Sequence, residues 1–262
     1  MCLILMALDA HREFPVVLAA NRDEFFARPT LPAAPWAENE NVIGGRDVEK
    51  GGTWMAVTTA GRLAAVTNYR DGARPKTGQR SRGRLVSDFV LSRSDAADYL
   101  EDVLRHAQLY DGFNLIVVDR GRGFYCSNRG AEITELSPGV HGLSNHLLDT
   151  PWPKVERGKT AVSHLLQRPR DKLVQGLFTA LNDAEIAPDR NLPSTGISVD
   201  WERRLSSAFI QTPEYGTRAS TVVLVDRAGA VTFVERSFGP GGESLGERRL
   251  QLSGSTASLP AS

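Results

Sequence analysis

The run Cys2-Leu-Ile-Leu-Met-Ala-Leu8, followed after a polar turn by Val16-Val-Leu-Ala-Ala-Asn-Arg-Asp-Glu24, decides the reading of this 262-residue sequence. Two apolar runs of strand length, separated by turn formers between positions 9 and 15, predict an antiparallel hairpin over residues 3–8 and 16–21. In such a hairpin the head of the first run lies beside the tail of the second. The polar tetrapeptide Asn21-Arg22-Asp23-Glu24 therefore falls at the sheet end that carries Cys2. By the period of two along a strand, Asn21 and Asp23 share one face, and Arg22 and Glu24 point to the other.

Cys2 matters because methionine is readily clipped when a small residue follows it. Removal of Met1 would leave a thiol and a free α-amine on one residue. An α-amine titrates near pH ~8 and a thiol near ~8.5, so modest tuning sets a thiolate beside its own proton acceptor. That is the N-terminal form of an activated nucleophile. A carboxylate at Asp23 would orient the amine, and a nearby guanidinium would favour the thiolate. Taken alone, a cysteine heading an apolar strand reads equally as a core residue.

Working outward, strands are expected over residues 53–59 and 62–69, with Gly44, Gly45, Gly51 and Gly52 as irregular backbone before them. Helices follow over 84–91 and 94–107, the second with Ser94 as its N-cap. Strands return over 113–119, 123–127 and 141–144, then helices over 153–166, 170–182 and 200–208, and a last hairpin over 220–226 and 230–236. This order lacks the regular βαβ alternation of a parallel sheet. It predicts one domain over residues 1–238 and, where Gly, Ser, Ala and Pro dilute the apolar residues, a weakly ordered tail over 239–262.

Composition narrows the function classes. The 31 basic and 31 acidic residues balance, which argues against a nucleic-acid partner. No apolar run reaches the ~20 residues that span a bilayer, so no membrane insertion is expected, and the location is expected to be cytoplasmic. The two cysteines are far apart and form no disulfide framework; Cys126 reads as a core residue. The five histidines lack zinc-site spacing, and the paired glycines match neither a phosphate loop nor a dinucleotide fingerprint. No metal and no cofactor are expected.

Acyl transfer also requires donors where a tetrahedral intermediate develops charge. Asn68 and Asn145, each where an apolar run gives way to a loop, are candidates for that role and equally for turn residues. Trp54, after a double glycine, is a candidate cleft wall. The basic stretch from Arg70 to Arg84 reads as a solvated loop or as a contact for an anionic ligand.

Together, Met1-Cys2, Asn21-Arg-Asp-Glu24, Gly51-Gly-Thr-Trp54, Thr67-Asn-Tyr-Arg70, Gly142-Leu-Ser-Asn145 and Gly216-Thr-Arg-Ala-Ser-Thr221 resemble the NRDE family, also called the transport and Golgi organisation protein 2 family. The resemblance runs to about Arg236. That family in turn resembles N-terminal nucleophile hydrolases of the bile salt hydrolase and penicillin V acylase group. It implies an α+β fold, a four-layer α/β/β/α sandwich of two antiparallel sheets. It also implies a catalytic set: Cys2 as nucleophile and base, Asp23 holding the amine, Asn145 and Asn68 at the oxyanion, and Arg218 near the nucleophile. Asn21, Arg22, Trp54 and Arg70 are then candidate binding residues. Those acylases carry an arginine just before the position of Asn21, where this chain has Ala20, and strand alternation argues against Arg22 taking its place. The implied activity is cleavage of a linear amide through an acyl-enzyme. The family's link to transport and to heme or lipid handling implies the alternative, a carrier for a hydrophobic or anionic metabolite. The sequence leaves the substrate and the oligomeric state open.

Overall fold

The computed structural model describes residues 2–72, 74–75, 77–130 and 132–253. In chain order the first strands are β1 (Cys2–Leu8), β2 (Val16–Phe25), β3 (Thr30–Trp36), β4 (Asn39–Asp47), β5 (Met55–Thr58) and β6 (Leu63–Asn68). Helices α1 (Gly83–Leu91) and α2 (Ala96–Arg105) lead to β7 (Phe113–Asp119), β8 (Arg122–Ser127), β9 (Thr134–Glu135) and β10 (Gly139–Leu143). Helices α3 (Pro153–Leu165), α4 (Arg170–Leu181) and α5 (Val199–Arg204) precede β11 (Tyr215–Val225), β12 (Val231–Phe238) and β13 (Ser244–Leu252).

The strands form two antiparallel sheets, ordered β10-β1-β2-β11-β12-β13 and β3-β4-β5-β6-β7-β8-β9. Alternation along β1 explains why both faces of the first sheet are covered. Ile4, Met6 and Leu8 meet Ile43, Val57, Ala65 and Ile116 of the second sheet, forming the middle of the molecule. Leu3, Leu5 and Ala7 face the other way, onto Val155, Val162, Leu173 and Leu177 of α3 and α4. On the second sheet, Ala64, Leu115 and Val117 pack under Leu85, Phe89 and Leu100 of α1 and α2. The result is the expected α/β/β/α sandwich. Strands buried on both faces are near-continuously apolar for this reason. No helix among the described residues is long and apolar enough to cross a membrane.

Three local differences from the sequence reading have physical causes. The strands β3 and β4 were not expected, because Pro32 and Pro35 in the first and two glycines in the second argue against strands; β3 is an edge strand, where proline is tolerated. Gly44 and Gly45 are thus extended rather than irregular. A Cβ on Gly45 would sit 2.1 Å from the Trp54 ring, so the bare backbone is what lets that indole lie across the strand. Gly51 and Gly52 do carry left-handed backbone, at φ 70° and 77°. At the head of α2 the N-cap position falls on Asp95 instead of Ser94. The Ser94 carbonyl accepts the Arg62 guanidinium at 2.9 Å.

The segment expected to be a weakly ordered tail contains β13, paired along β12. Leu250 and Leu252 pack against the middle core, and Arg236 meets Glu247 at 2.9 Å. Residues 254–262 of that segment lie outside the described residues, as does Met1.

Candidate active site

The register of the first hairpin builds the site. Cys2 pairs with Arg22 and Ile4 with Ala20. Cross-strand partners share a face, so the thiol and the guanidinium both point between the two sheets. There Arg22 lies 4.4 Å over the Trp54 ring. This corrects the expectation that alternation removes Arg22 from the nucleophile. The period of two was sound, but the register, unknown from sequence, puts Arg22 on the face of Cys2.

Cys2 lines a cleft of about 450 Å³ together with Arg22, Thr53, Trp54, Asn68 and Arg82. Its backbone carbonyl accepts the Ser144 hydroxyl at 3.2 Å, tying β1 to the loop after β10. Burial pushes the Cys2 thiol up, and the Asp23 carboxylate adds to that. The Arg22 guanidinium and a hydrogen bond from the Asp23 backbone N–H oppose them by favouring the thiolate.

The Asp23 carboxyl lies in a separate, polar interior. It accepts the Thr217 hydroxyl at 2.7 Å, and the Tyr215 hydroxyl donates to its backbone carbonyl at 3.2 Å. Burial raises its pKa, while Lys154, the Thr217 hydroxyl and Arg70 draw it down. Lys154 is fully buried and donates to the Leu205 carbonyl at 3.0 Å. Burial brings its pKa down to about 8 against the pull of Asp23. Beside it Arg70 and Glu202 pair at 2.6 Å, and Glu202 also accepts the Thr195 hydroxyl and N–H at 2.6 and 3.0 Å. Two buried cations thus face two buried carboxylates, the arrangement that makes interior charge tolerable.

The expected site residues separate into two groups. Cys2, Asn68, Arg22 and Trp54 meet at the cleft, and Asp23 borders it while its carboxyl turns to Thr217. Asn21, Asn145, Arg70 and Arg218 are engaged elsewhere. Asn21 donates to the Leu181 and Ala208 carbonyls at 2.8 Å and accepts the Ser220 hydroxyl at 2.6 Å, so it fastens the helical layer to the sheet. Asn145, wholly buried, donates to the Asn68 carbonyl at 3.0 Å, and its own carbonyl accepts the Arg70 N–H at 2.6 Å. It holds Asn68 at the cleft and does not itself line it. Arg70 belongs to the buried ion pair and lies 4.7 Å over Trp152.

Arg218 stands inside β11. It is the extra residue of a bulge between Thr217, opposite Asp23, and Ala219, opposite Arg22. Its guanidinium donates to the Phe25 and Arg28 carbonyls and the Thr30 hydroxyl, so it secures the turn after β2 and does not line the Cys2 cleft.

Sequence reading missed Lys154 and Glu202. Lys154 had a signal: a lysine in the first turn of a helix opposes the helix dipole, and Pro153 before it marks that turn. Glu202 had none, since its partners are distant in sequence. Arg82 was seen within the basic stretch; its side chain donates to the Gly112 carbonyl at 3.1 Å and lines the cleft. Among the described residues, no three His, Cys, Asp or Glu side chains are grouped to hold a metal ion.

A profile of the family described as "Transport and Golgi organisation 2" matches residues 1–240. Transport and Golgi organization protein 2 homolog of Bos taurus is 41% identical over 260 residues, covering 91% of this chain and 93% of that protein. The Homo sapiens homolog is 38% identical over 260 residues, with the same coverages. Transport and Golgi organization protein 2 of Drosophila melanogaster is 32% identical over 265 residues, covering 91% and 92%. Among solved structures, a mutant of conjugated bile acid hydrolase from Clostridium perfringens superposes with a TM-score of 0.53 at 8% identity, covering 98% of this chain and 95% of its own. At that identity the likeness concerns the fold. The fold it shares is a sandwich of two antiparallel sheets between helical layers.

Proposed function

The chain belongs to the Transport and Golgi organisation 2 family, and from the chemistry at its cleft we propose that it is a cysteine N-terminal nucleophile amidohydrolase acting on a linear amide. The observation that carries this reading is the Cys2 thiol in an open cleft, opposite the Arg22 guanidinium, with Asn68 in the same wall. In this mechanism Met1 is removed, and the Cys2 α-amine takes the thiol proton as Sγ attacks the amide carbonyl carbon. The oxyanion accepts a hydrogen bond from the Asn68 side chain, and Arg22 stabilises the developing negative charge. As the C–N bond breaks, the α-ammonium returns its proton to the leaving amine, giving a thioester. Water, deprotonated by the same amine, attacks the thioester carbonyl carbon; the C–S bond then breaks, the α-ammonium returns its proton to the Cys2 sulfur, and the acid product leaves as its carboxylate. Asp23 orients the amine, with Lys154 and Arg70 favouring its carboxylate form against the burial that raises its pKa.

Intact mass spectrometry of the purified protein tests this. The expected outcome is loss of Met1 and a single iodoacetamide adduct at Cys2, absent in Cys2→Ala. Retention of Met1 would sink the mechanism, because the base would then be a peptide nitrogen.

A second reading, a carrier for an anionic or hydrophobic metabolite in cells, is favoured by one feature. The cleft is lined by Arg22, Lys50, Arg80 and Arg82 as well as by acidic residues, of which Asp47 is engaged by Arg28 and Asp111 by the Gly78 N–H, while burial holds the thiol toward its neutral form. Under that reading Cys2→Ala retains metabolite binding in native mass spectra; under the hydrolase reading it abolishes turnover of an amide panel.

A further inference from the structure

Beyond the stacked Arg22 and Trp54 lies a second cavity, of about 290 Å³, walled by β11 and by the β12–β13 edge. Arg22 and Trp54 line both cavities, so their 4.4 Å stack is a shared partition. The second cavity also holds Arg218, Arg248, Glu235 and Glu247.

Its carboxylates are committed by hydrogen bonds or an ion pair, Arg218 is taken up by the turn after β2, and Arg22 and Arg248 act on Glu235 only through space, with no direct ion pair among the described residues. Glu235 accepts the Ala33 N–H at 2.7 Å and the Thr221 hydroxyl at 3.4 Å, and burial draws it toward the neutral form. Glu247 accepts Arg236 at 2.9 Å and faces Arg249 at 3.9 Å. Arg22 is only 6% exposed, yet its Nη1 is buried with no hydrogen-bond partner among the described residues. Arg248, opposite Glu235 in register, enters no ion pair among them. A buried guanidinium donor without a partner carries a desolvation cost that a bound oxyanion removes. The planar fork of arginine matches the paired oxygens of a carboxylate or phosphate. Phe238 and Leu245 line the same cavity and provide apolar contact for the body of such a ligand.

We propose that this second cavity is a binding site for a small oxyanion-bearing ligand, a carboxylate on a short apolar body, with Arg22 and Arg248 holding its oxygens. The site needs no hydrolysis at Cys2, so it stands or falls apart from the reading above. A ligand long enough to pass Trp54 would join the two cavities, with its anionic end in the second.

Isothermal titration of the Cys2→Ala protein with hexanoate, inorganic phosphate and neutral hexanamide separates the outcomes. The expected result is saturable hexanoate binding, none for hexanamide, and at least about tenfold weaker binding in Arg248→Gln and in Arg22→Gln. Lys50→Gln, which alters only the Cys2 cleft, leaves it unchanged. Phosphate binding with the same variant pattern supports the site and identifies an inorganic oxyanion as a source. Circular dichroism checks that Arg22→Gln folds; Arg248, on an exposed edge strand, tests the site without that risk. Three results overturn the proposal: no saturable binding of any anion, equal binding of hexanamide, or affinity lost in Lys50→Gln and retained in Arg248→Gln.

Discussion

At the end of β2, neighbouring residues of one tetrapeptide serve two different environments. Asn21 and Asp23 face the helical layer, where the Asn21 amide is engaged by three partners and the Asp23 carboxyl lies among Thr217, Lys154 and Arg70. Arg22 faces the other way, over Trp54, between two cavities and opposite Cys2. Buried polar groups of the first kind hold a structure together. A buried guanidinium nitrogen of the second kind is more readily explained by a ligand or a reacting group. A pleat of period two is what lets one short motif do both.

Substitutions should divide along the same line, and the largest effect is expected on the helical side. Asp23→Ala leaves Lys154 without its facing carboxylate, and loss of one partner from a buried charge pair costs about 3–5 kcal/mol. Urea denaturation should show that loss; an unchanged midpoint would break the comparison. Lys154 itself provides the next test, through pH. Its pKa is about 8 when folded, against 10.5 for an unperturbed lysine. Below pH 8 both states hold the proton, and the buried ammonium carries its full cost. Between about 8 and 10.5 the unfolded chain binds more protons than the folded one, so stability rises with pH by about 3 kcal/mol from this group. Lys154→Met should lack that rise, and the difference between the two stability–pH curves isolates it.

Asn21→Ala is expected to cost about 2 kcal/mol, since it strands the Leu181 and Ala208 carbonyls and the Ser220 hydroxyl. Thermal melts should show this with no change in iodoacetamide labelling of Cys2 per folded molecule. Arg22→Gln should do the reverse. Its contact with Trp54 contributes about 0.5–1 kcal/mol to stability. Its removal should nonetheless slow Cys2 alkylation at pH 7 several-fold, because a neighbouring cation no longer favours the thiolate. Equal stability losses in Asn21→Ala and Arg22→Gln, with equal labelling rates, would erase the distinction between the faces.

Asn68 and Asn145 repeat the contrast on a smaller scale. As sequence they were indistinguishable, each an asparagine after an apolar run. In the fold Asn68 lines the cleft, whereas Asn145 donates to the backbone of Asn68 from a wholly buried position. Arg218 shows the same limit: its motif was legible, but a bulge in β11 sends its guanidinium to the backbone of the turn after β2. The strands β3 and β4 escaped notice because edge position excuses prolines and because Trp54 crosses Gly45, and neither condition has a local signature.

The layered fold and the full set of candidate site residues followed from the family resemblance; the sequence by itself determined the order of strands and helices and the hairpin that sets Cys2 beside Asn21–Glu24. These are matters of apolar periodicity, turn chemistry and local spacing, which act over a few residues. Only the tertiary structure decided which of those residues face the thiol. Register, a β-bulge and the packing of α3 and α5 against the sheet end bring together groups as distant as Asp23, Lys154 and Glu202. Whether a buried charge meets a partner or an empty cavity depends on such distant neighbours, and no local pattern encodes them.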